Sequence, residues 1–155
     1  MTESQKKEYK RTLQQHAVEI ISQRIAEAKL AMDNAQEAAN AEEKSSAGDK
    51  YETSRAMGQR DKEMHTNQLL ANKQALAALL SVHCEELYDT VSTGAVVVCN
   101  DASFFIAAGL GKISIYKKDI YFLSPAAPVA KLLFNRVAGD VIVFNNKKML
   151  INDVF

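Results

Sequence analysis

Two carboxylates, Asp49 and Glu52, lie three residues apart about a third of the way along the chain, within Ala47-Gly48-Asp49-Lys50-Tyr51-Glu52. Carboxylate oxygens are hard ligands, and one or two of them can hold a Mg²⁺ ion that keeps several waters. The same spacing is that of a capping box, in which Asp49 caps a helix and Glu52 occupies its third position. Acidic side chains also suit the positive end of a helix dipole. The spacing alone therefore leaves a metal-positioning pair and a capped turn as two open interpretations.

Basic side chains surround this acidic pair. Lys and Arg neutralise phosphate charge, so these residues could contact a nucleic acid. They could equally be solvated and paired with nearby acids such as Asp61. Glu42 and Glu43, just before the pair, are interpreted as solvated helix surface. The candidate contacts with RNA or a protein partner are Lys44, Lys50, Arg55 and Arg60.

The elements that would position these residues are two long helices. Residues 1–90 contain no proline, and their only glycines are Gly48 and Gly58. Such composition favours helix. Apolar residues then recur at alternating spacings of three and four, which is the heptad pattern of a coiled coil. In the first helix the stripe is Val18, Ile21, Ile25, Ala28, Met32, Ala35 and Ala39, and in the second it includes Met57, Met64, Ala71, Ala75, Ala78 and Val82.

The break between the two stripes is Ser45-Ser46-Ala47-Gly48, a set of turn and cap residues. A short connection between facing stripes favours an antiparallel helical hairpin over one continuous helix in a parallel dimer. Two helices of roughly 38 residues would each extend about 57 Å. We therefore expect a hairpin over residues 1–90, with its tip near residues 45–52.

Residues 91–155 predict a second, β-rich domain. Their apolar runs are short and rich in β-branched and aromatic residues. A short helix is expected from Ala126 to Phe134, and Asn145-Asn146 suggests a hairpin turn. Short strands around one short helix make a compact α+β domain. The strand candidates are 95–99, 104–106, 113–116, 120–123, 141–144 and 149–151.

Composition excludes some classes of function. Residues 1–90 hold 12 basic and 15 acidic side chains and residues 91–155 hold 7 and 4, so neither part has the strongly basic character of a typical nucleic-acid-binding domain. No apolar run approaches the roughly 20 residues that cross a bilayer, and the first residues lack the apolar core of a signal peptide. Cys84 and Cys99 have no metal-ligand spacing, which favours buried thiols in a reducing cytoplasm.

The tip at residues 48–52 and the segments 123–133 and 137–143 together resemble the Gre family of bacterial transcription elongation factors, GreA and GreB. The tip Gly48-Asp49-Lys50-Tyr51-Glu52 matches the family's Gly-Asp-x-x-Glu. The segment 123–133, Leu-Ser-Pro-Ala-Ala-Pro-Val-Ala-Lys-Leu-Leu, is similar to its Ser-Pro helix. The segment 137–143, Val-Ala-Gly-Asp-Val-Ile-Val, is similar to its Val-Gly-Asp-x-Val strand. The resemblance covers nearly the whole chain, and its C-terminal pair of motifs is the more specific part.

The resemblance implies a fold and a mechanism. The fold would be an α+β one, with an N-terminal antiparallel hairpin and an FKBP-like C-terminal domain. The protein would bind RNA polymerase, insert the hairpin into its secondary channel and stimulate cleavage of backtracked transcripts by the polymerase. It would not itself be an enzyme and would hold no cofactor stably, because Asp49 and Glu52 would position a Mg²⁺ shared with the polymerase active site.

The resemblance also implies partners and leaves alternatives. The protein would be a cytoplasmic monomer with no membrane partner. It would meet the nascent RNA 3′ end and DNA only indirectly, within the elongation complex. After Glu52 this chain reads Thr53-Ser54-Arg55-Ala56, where the family usually has Asn-Ala-Glu-Tyr. A regulator that binds the channel without stimulating cleavage is therefore one alternative, and a structural coiled-coil interaction protein is another. Prolyl isomerase activity would follow only from fold analogy, which does not establish it.

Overall fold

The computed structural model describes residues 1–43 and 48–155, with the side chains of residues 39, 42, 43 and 48–55 outside that description. The chain forms two compact units. The sheet unit comprises residues 1–19 and 75–155, and the helical unit comprises residues 20–74. The division of the sequence into a hairpin over 1–90 and a domain over 91–155 stays a prediction.

Two long helices dominate the N-terminal half. Helix α1 spans Glu3–Glu43 and helix α2 spans Gly48–Leu80. Within the helical unit, Lys62 Nζ donates to Gln36 Oε1 at 2.7 Å, and Thr66 Oγ1 lies 3.6 Å from Met32 Sδ. From the first contact to the second, the residue number rises on α2 from 62 to 66 and falls on α1 from 36 to 32. The two helices are therefore antiparallel. The predicted hairpin is confirmed, and the alternative of one continuous helix is wrong.

The apolar stripe predicted on α1 is confirmed from Val18 to Ala35, and the side chain of Ala39 lies outside the described residues. The stripe predicted on α2 is wrong at its distal end. Ile21 and Ala28 are buried. Met57 and Met64, however, are 60% and 49% exposed. The residues that α2 buries or half-buries in the helical unit lie one position further along the heptad, and two of them have polar side chains. These residues are Gly58, His65, Leu69 and Asn72.

All six strand candidates form strands. They build one sheet in the order β3-β4-β2-β1-β6-β5. Every neighbouring pair is antiparallel except β2 and β4, which are parallel. The strands are β1 (Val96–Cys99), β2 (Ser103–Ile106), β3 (Gly111–Ile115), β4 (Lys118–Leu123), β5 (Val141–Phe144) and β6 (Lys147–Val154), and helix α3 (Pro128–Leu133) lies between β4 and β5.

Turn residues set the ends of the last hairpin. Asn145 and Asn146 have φ of 51° and 63°, the left-handed values that a two-residue turn between antiparallel strands requires. Gly139, before β5, has φ of 97°, which L side chains rarely adopt. Asp140 Oδ2 accepts a hydrogen bond from the Val137 backbone N–H at 3.0 Å and so closes the same turn. These local preferences fix where β5 begins and ends.

The central strands of the sheet, β1, β2 and β4, bury side chains on both faces. One face packs in a cluster with α3 that includes Val97, Phe104, Leu133 and Ile151. Alternation along the strands places Phe105 and Phe122 on the other face, where their rings meet edge to face at 5.5 Å. The first residues of α1 belong to the same compact unit. The centres of the Tyr9 and Phe155 rings lie 6.2 Å apart. The fold class is therefore α+β, as predicted, with a helical hairpin and a six-stranded sheet.

Candidate functional site

The predicted carboxylate pair lies at the start of α2. The backbone of Asp49 and Glu52 belongs to the first turn of this helix, which begins at Gly48. Their side chains lie outside the described residues. The same is true of the side chains of Lys50 and Arg55, while Lys44 lies outside altogether. The roles assigned to these residues from the sequence stay predictions.

Arg60 is the one predicted contact residue whose side chain is described. It lies on α2 two turns beyond the tip carboxylates and is exposed. Among the residues with described side chains, no group of three or more His, Cys, Asp or Glu could hold a metal ion. That search did not include Asp49 and Glu52, so their predicted metal role is neither supported nor contradicted.

The described part of the hairpin has a groove between its helices, lined by alanines and by polar side chains. The groove encloses about 460 Å³. Three alanines, Ala28, Ala31 and Ala71, leave this space because their side chains are too short to fill it. His65 Nδ1 is buried there without a hydrogen-bond partner among the described residues. The sequence pattern did not predict this groove, because it placed the apolar stripe of α2 one residue before the positions that face α1. The remaining lining residues are Arg24, Glu27, Gln68 and Asn72.

The sheet unit contains a buried cation that the sequence pattern did not single out. Lys10 on α1 has no exposed surface. Its Nζ donates to the Glu86 backbone carbonyl at 2.7 Å and lies 4.6 Å from the centre of the Tyr88 ring. Burial lowers the pKa of Lys10 to about 8, although the nearby Cys84 and Glu86 act in the opposite direction. Lys10 thereby ties α1 to the segment that follows α2.

A sequence signal could have indicated the position but not the residue type. Leu13, Ala17 and Ile21 are buried on α1, and Lys10 continues their spacing towards the N-terminus. The stripe therefore extends about two turns beyond Val18, the residue at which the sequence interpretation begins it. A lysine at such a position is ordinarily assigned to the surface, since lysine is almost never fully buried without a partner. Only the carbonyl of Glu86 and the ring of Tyr88 explain its burial.

We expect Lys10 to give the protein a distinct dependence of stability on pH. Below about pH 8 the folded and unfolded states both carry the charge, and the folded state bears the cost of burying it. Between about pH 8 and 10.5 the unfolded state binds more protons, so the free energy of unfolding rises with pH. Relative to Lys10→Met, the wild type should gain up to about 3 kcal/mol across this window.

Urea unfolding of the wild type and the variant at pH 7.5, 9 and 10 measures this difference. Burial raises the pKa of Cys84 and of Tyr88, so these groups remove stability as pH rises in both proteins. The charge of Lys10 also lowers the pKa of Cys84, so the difference between the two proteins measures Lys10 together with this coupling. The exposed Lys29 on α1 supplies the matched control, Lys29→Met, whose curve should run parallel to that of the wild type. Parallel curves for Lys10→Met as well would contradict the assignment.

Both cysteines are buried free thiols, as the sequence predicted. Cys84 Sγ lies 3.2 Å from Gln14 Oε1. Burial and the charge of Asp101 raise the pKa of Cys99 to about 11. A thiol with a raised pKa is rarely a thiolate at neutral pH, and the thiolate is the nucleophile. These positions are packing residues in the sheet unit.

Solved structures include proteins with a similar arrangement of the chain. Over 89% of this chain and 92% of the other, the structure is similar to that of the transcription factor Gfh1, with 14% sequence identity and a TM-score of 0.37. No family model matches the sequence. No curated protein matches it either.

The length and apolar character of the helices decide whether any of them could cross a bilayer. Within the part of the chain that the structure describes, none of them combines the length and the apolar character that spanning a membrane demands.

Proposed function

We propose that this protein is a transcription elongation factor that binds RNA polymerase, inserts its helical hairpin into the secondary channel and stimulates cleavage of backtracked transcripts. The polymerase performs the cleavage, and the factor contributes the tip of the hairpin. Asp49 and Glu52 would help to hold a Mg²⁺ ion shared with the polymerase. Lys44, Lys50, Arg55 and Arg60 would contact RNA phosphates or acidic groups of the channel.

The observation that carries this proposal is the position of the Gre-like motifs on the elements that the resemblance implies. The Ser124-Pro125 motif leads from β4 into α3. The Gly139-Asp140 motif forms the turn into β5, where glycine supplies the positive φ and the aspartate accepts a backbone hydrogen bond. The acidic motif opens the second helix of the hairpin. Three short motifs thus agree with three independent structural contexts.

The proposed chemistry follows from the reaction. Phosphodiester hydrolysis gains from two metal ions, one stabilising the attacking oxygen and one the leaving oxygen. Mg²⁺ prefers oxygen ligands and keeps several waters, so Asp49 and Glu52 would hold the ion and leave positions for water in its coordination shell. A free factor need not bind the ion tightly, because the polymerase supplies the other ligands. The factor would therefore add one or two carboxylate oxygens, carried at the tip of its helical hairpin.

A second candidate function is supported by the sequence after the acidic pair. Thr53-Ser54-Arg55 differs from the family's usual residues and adds a positive charge one turn beyond the carboxylates. A cation there would oppose a Mg²⁺ ion. The second candidate is therefore a regulator that occupies the secondary channel and does not stimulate cleavage.

A cleavage assay separates the two candidates. Purified protein is added to an elongation complex that has been halted and backtracked, and the RNA, labelled at its 5′ end, is resolved by length. Shortening from the 3′ end above the level of the polymerase alone is the expected result. Binding to the polymerase without shortening would support the regulator. Absence of binding would contradict both candidates.

A further inference from the structure

The turn between β3 and β4 is built from residues that rarely form such a turn. Tyr116 and Lys117 have φ of 50° and 65°, the left-handed values of a two-residue turn between antiparallel strands. Side chains other than those of Asn and Asp are disfavoured in this region of backbone space. The corresponding turn between β5 and β6 uses Asn145 and Asn146, which suit it. A tyrosine in the β3–β4 turn therefore costs stability, and backbone strain of this kind is concentrated at functional sites.

The side chain of Tyr116 is held in solvent instead of being packed into the core. It is 79% exposed. The ring of His16, on α1 within the same compact unit, meets it edge to face, with 5.8 Å between the ring centres. This contact orients the tyrosine ring and leaves most of its surface open to a ligand.

Two cations adjoin the exposed ring. Lys117 and Lys118 follow the tyrosine directly and are exposed. The segment 111–123 holds one acidic residue, Asp119, and this residue is engaged elsewhere, since its Oδ2 lies 3.3 Å from Lys112 Nζ. Among the residues whose side chains the structure describes, Lys117 and Lys118 form no ion pair. Both lysines can therefore bind a negatively charged ligand.

We propose that the turn Tyr116-Lys117-Lys118 binds single-stranded nucleic acid, with one base stacked on the tyrosine ring and the adjoining phosphates on the two lysines. Base stacking on aromatic rings combined with cations along the backbone is the way in which single strands are bound without sequence preference. Lysine contacts phosphate as a point charge on a flexible stem, so exposed lysines suffice. A duplex is the poorer ligand, because its bases are already stacked on one another.

The expected affinity is modest. Residues 91–155 hold 7 basic and 4 acidic side chains, a net charge of 7 − 4 = +3, so the turn is a local contact on a domain that is only weakly basic. Two phosphate contacts and one stacked base correspond to a dissociation constant on the order of 100 µM, the weak end of non-specific binding. The contact lies in the sheet unit and does not rest on the proposed function of Asp49 and Glu52.

Fluorescence anisotropy of a short labelled single-stranded RNA, titrated with the full chain at several salt concentrations, tests the proposal. Lys117→Ala with Lys118→Ala should weaken binding at least about fivefold and lower the slope of log affinity against log salt by roughly 1.4, or 0.7 per lost phosphate contact. Lys147→Ala with Lys148→Ala is the matched control. It removes two lysines beside the Asn145-Asn146 turn and should bind within about twofold of the wild type.

The Tyr116→Asn substitution separates a binding role from a structural one. Asparagine suits the left-handed turn, so this variant should melt about 2 to 4 °C higher than the wild type. It should nevertheless bind the RNA at least about fivefold more weakly, because the base loses its stacking surface. A tyrosine that only stabilises the fold would give the opposite pair of results, a lower melting temperature and unchanged binding.

Three outcomes would overturn the proposal. The first is a wild type that does not bind the single strand at low salt. The second is binding that survives both the lysine substitutions and Tyr116→Asn. The third is equal affinity for a polyglutamate peptide or for duplex RNA, since charge alone would then explain the contact.

Discussion

A protein in which Asp49 and Glu52 are both replaced by alanine is expected to bind RNA polymerase normally and to lose its stimulation of transcript cleavage. The double substitution removes the oxygen ligands that the proposed mechanism brings to the shared Mg²⁺. Loss of one preorganised electrostatic stabiliser commonly lowers a rate by roughly 100-fold or more, so the expected loss is at least of that size. Cleavage rates of backtracked complexes at saturating factor measure it.

The chain offers a matched control for this experiment. Glu42→Ala with Glu43→Ala removes the same two charges a few residues earlier, at positions interpreted as solvated helix surface. This control should retain cleavage stimulation within about twofold. A competition assay for polymerase binding accompanies both variants, because failure to bind would also abolish cleavage. Unchanged cleavage by the Asp49 and Glu52 variant would rule out these carboxylates as the site.

The Phe105→Ala substitution is expected to destabilise the sheet unit by about 3 to 5 kcal/mol, the range for removing a buried phenylalanine. Phe105 is fully buried. Its strand neighbours are Val96 on β1 and Phe122 on β4, and its ring meets that of Phe122 edge to face. The substitution removes both the buried area and this ring contact. Denaturant unfolding followed by circular dichroism measures the change.

Tyr121→Ala provides the comparison for this prediction. Tyr121 precedes Phe122 on β4 and is 37% exposed. The centre of its ring lies 5.7 Å from that of Phe104. Because its side chain is partly solvated, its loss should cost about 1 kcal/mol or less. A similar, small effect for Phe105→Ala would contradict a tightly packed second face of the sheet.

Strands and turns were predictable from local sequence. Val141–Phe144 was predicted with its observed bounds because a β-branched run ends at Asn145-Asn146, a pair suited to the left-handed turn. Strand β6 was longer than predicted, spanning Lys147–Val154, since its polar residues carry no strand signal of their own. The order of the strands could not be read from the chain, because the parallel pairing of β2 with β4 joins residues that are distant in sequence.

The face of α2 that packs against α1 was not predicted correctly from the sequence. Small and medium residues on α2 fit two adjacent heptad frames, one through Met57 and Met64 and one through His65 and Leu69. Hydrophobicity favoured the methionines, yet they are exposed while His65 is half-buried. The facing residues on α1 decide which frame is used, and these include Ala28 and Ala31, which admit a close approach.

The sequence by itself determined the hairpin, the strand segments and the acidic motif at the start of the second helix. These features depend on local periodicity, turn residues and composition, all of which act within a few residues of the chain. Only the tertiary structure decided that Lys10 is buried and that residues 1–19 belong to the same compact unit as the sheet. Each of these depends on contacts between segments far apart in sequence, such as Lys10 with Glu86 and Tyr9 with Phe155. Burial of this kind is a property of the assembled fold, because the partner that satisfies a polar group is supplied by another segment.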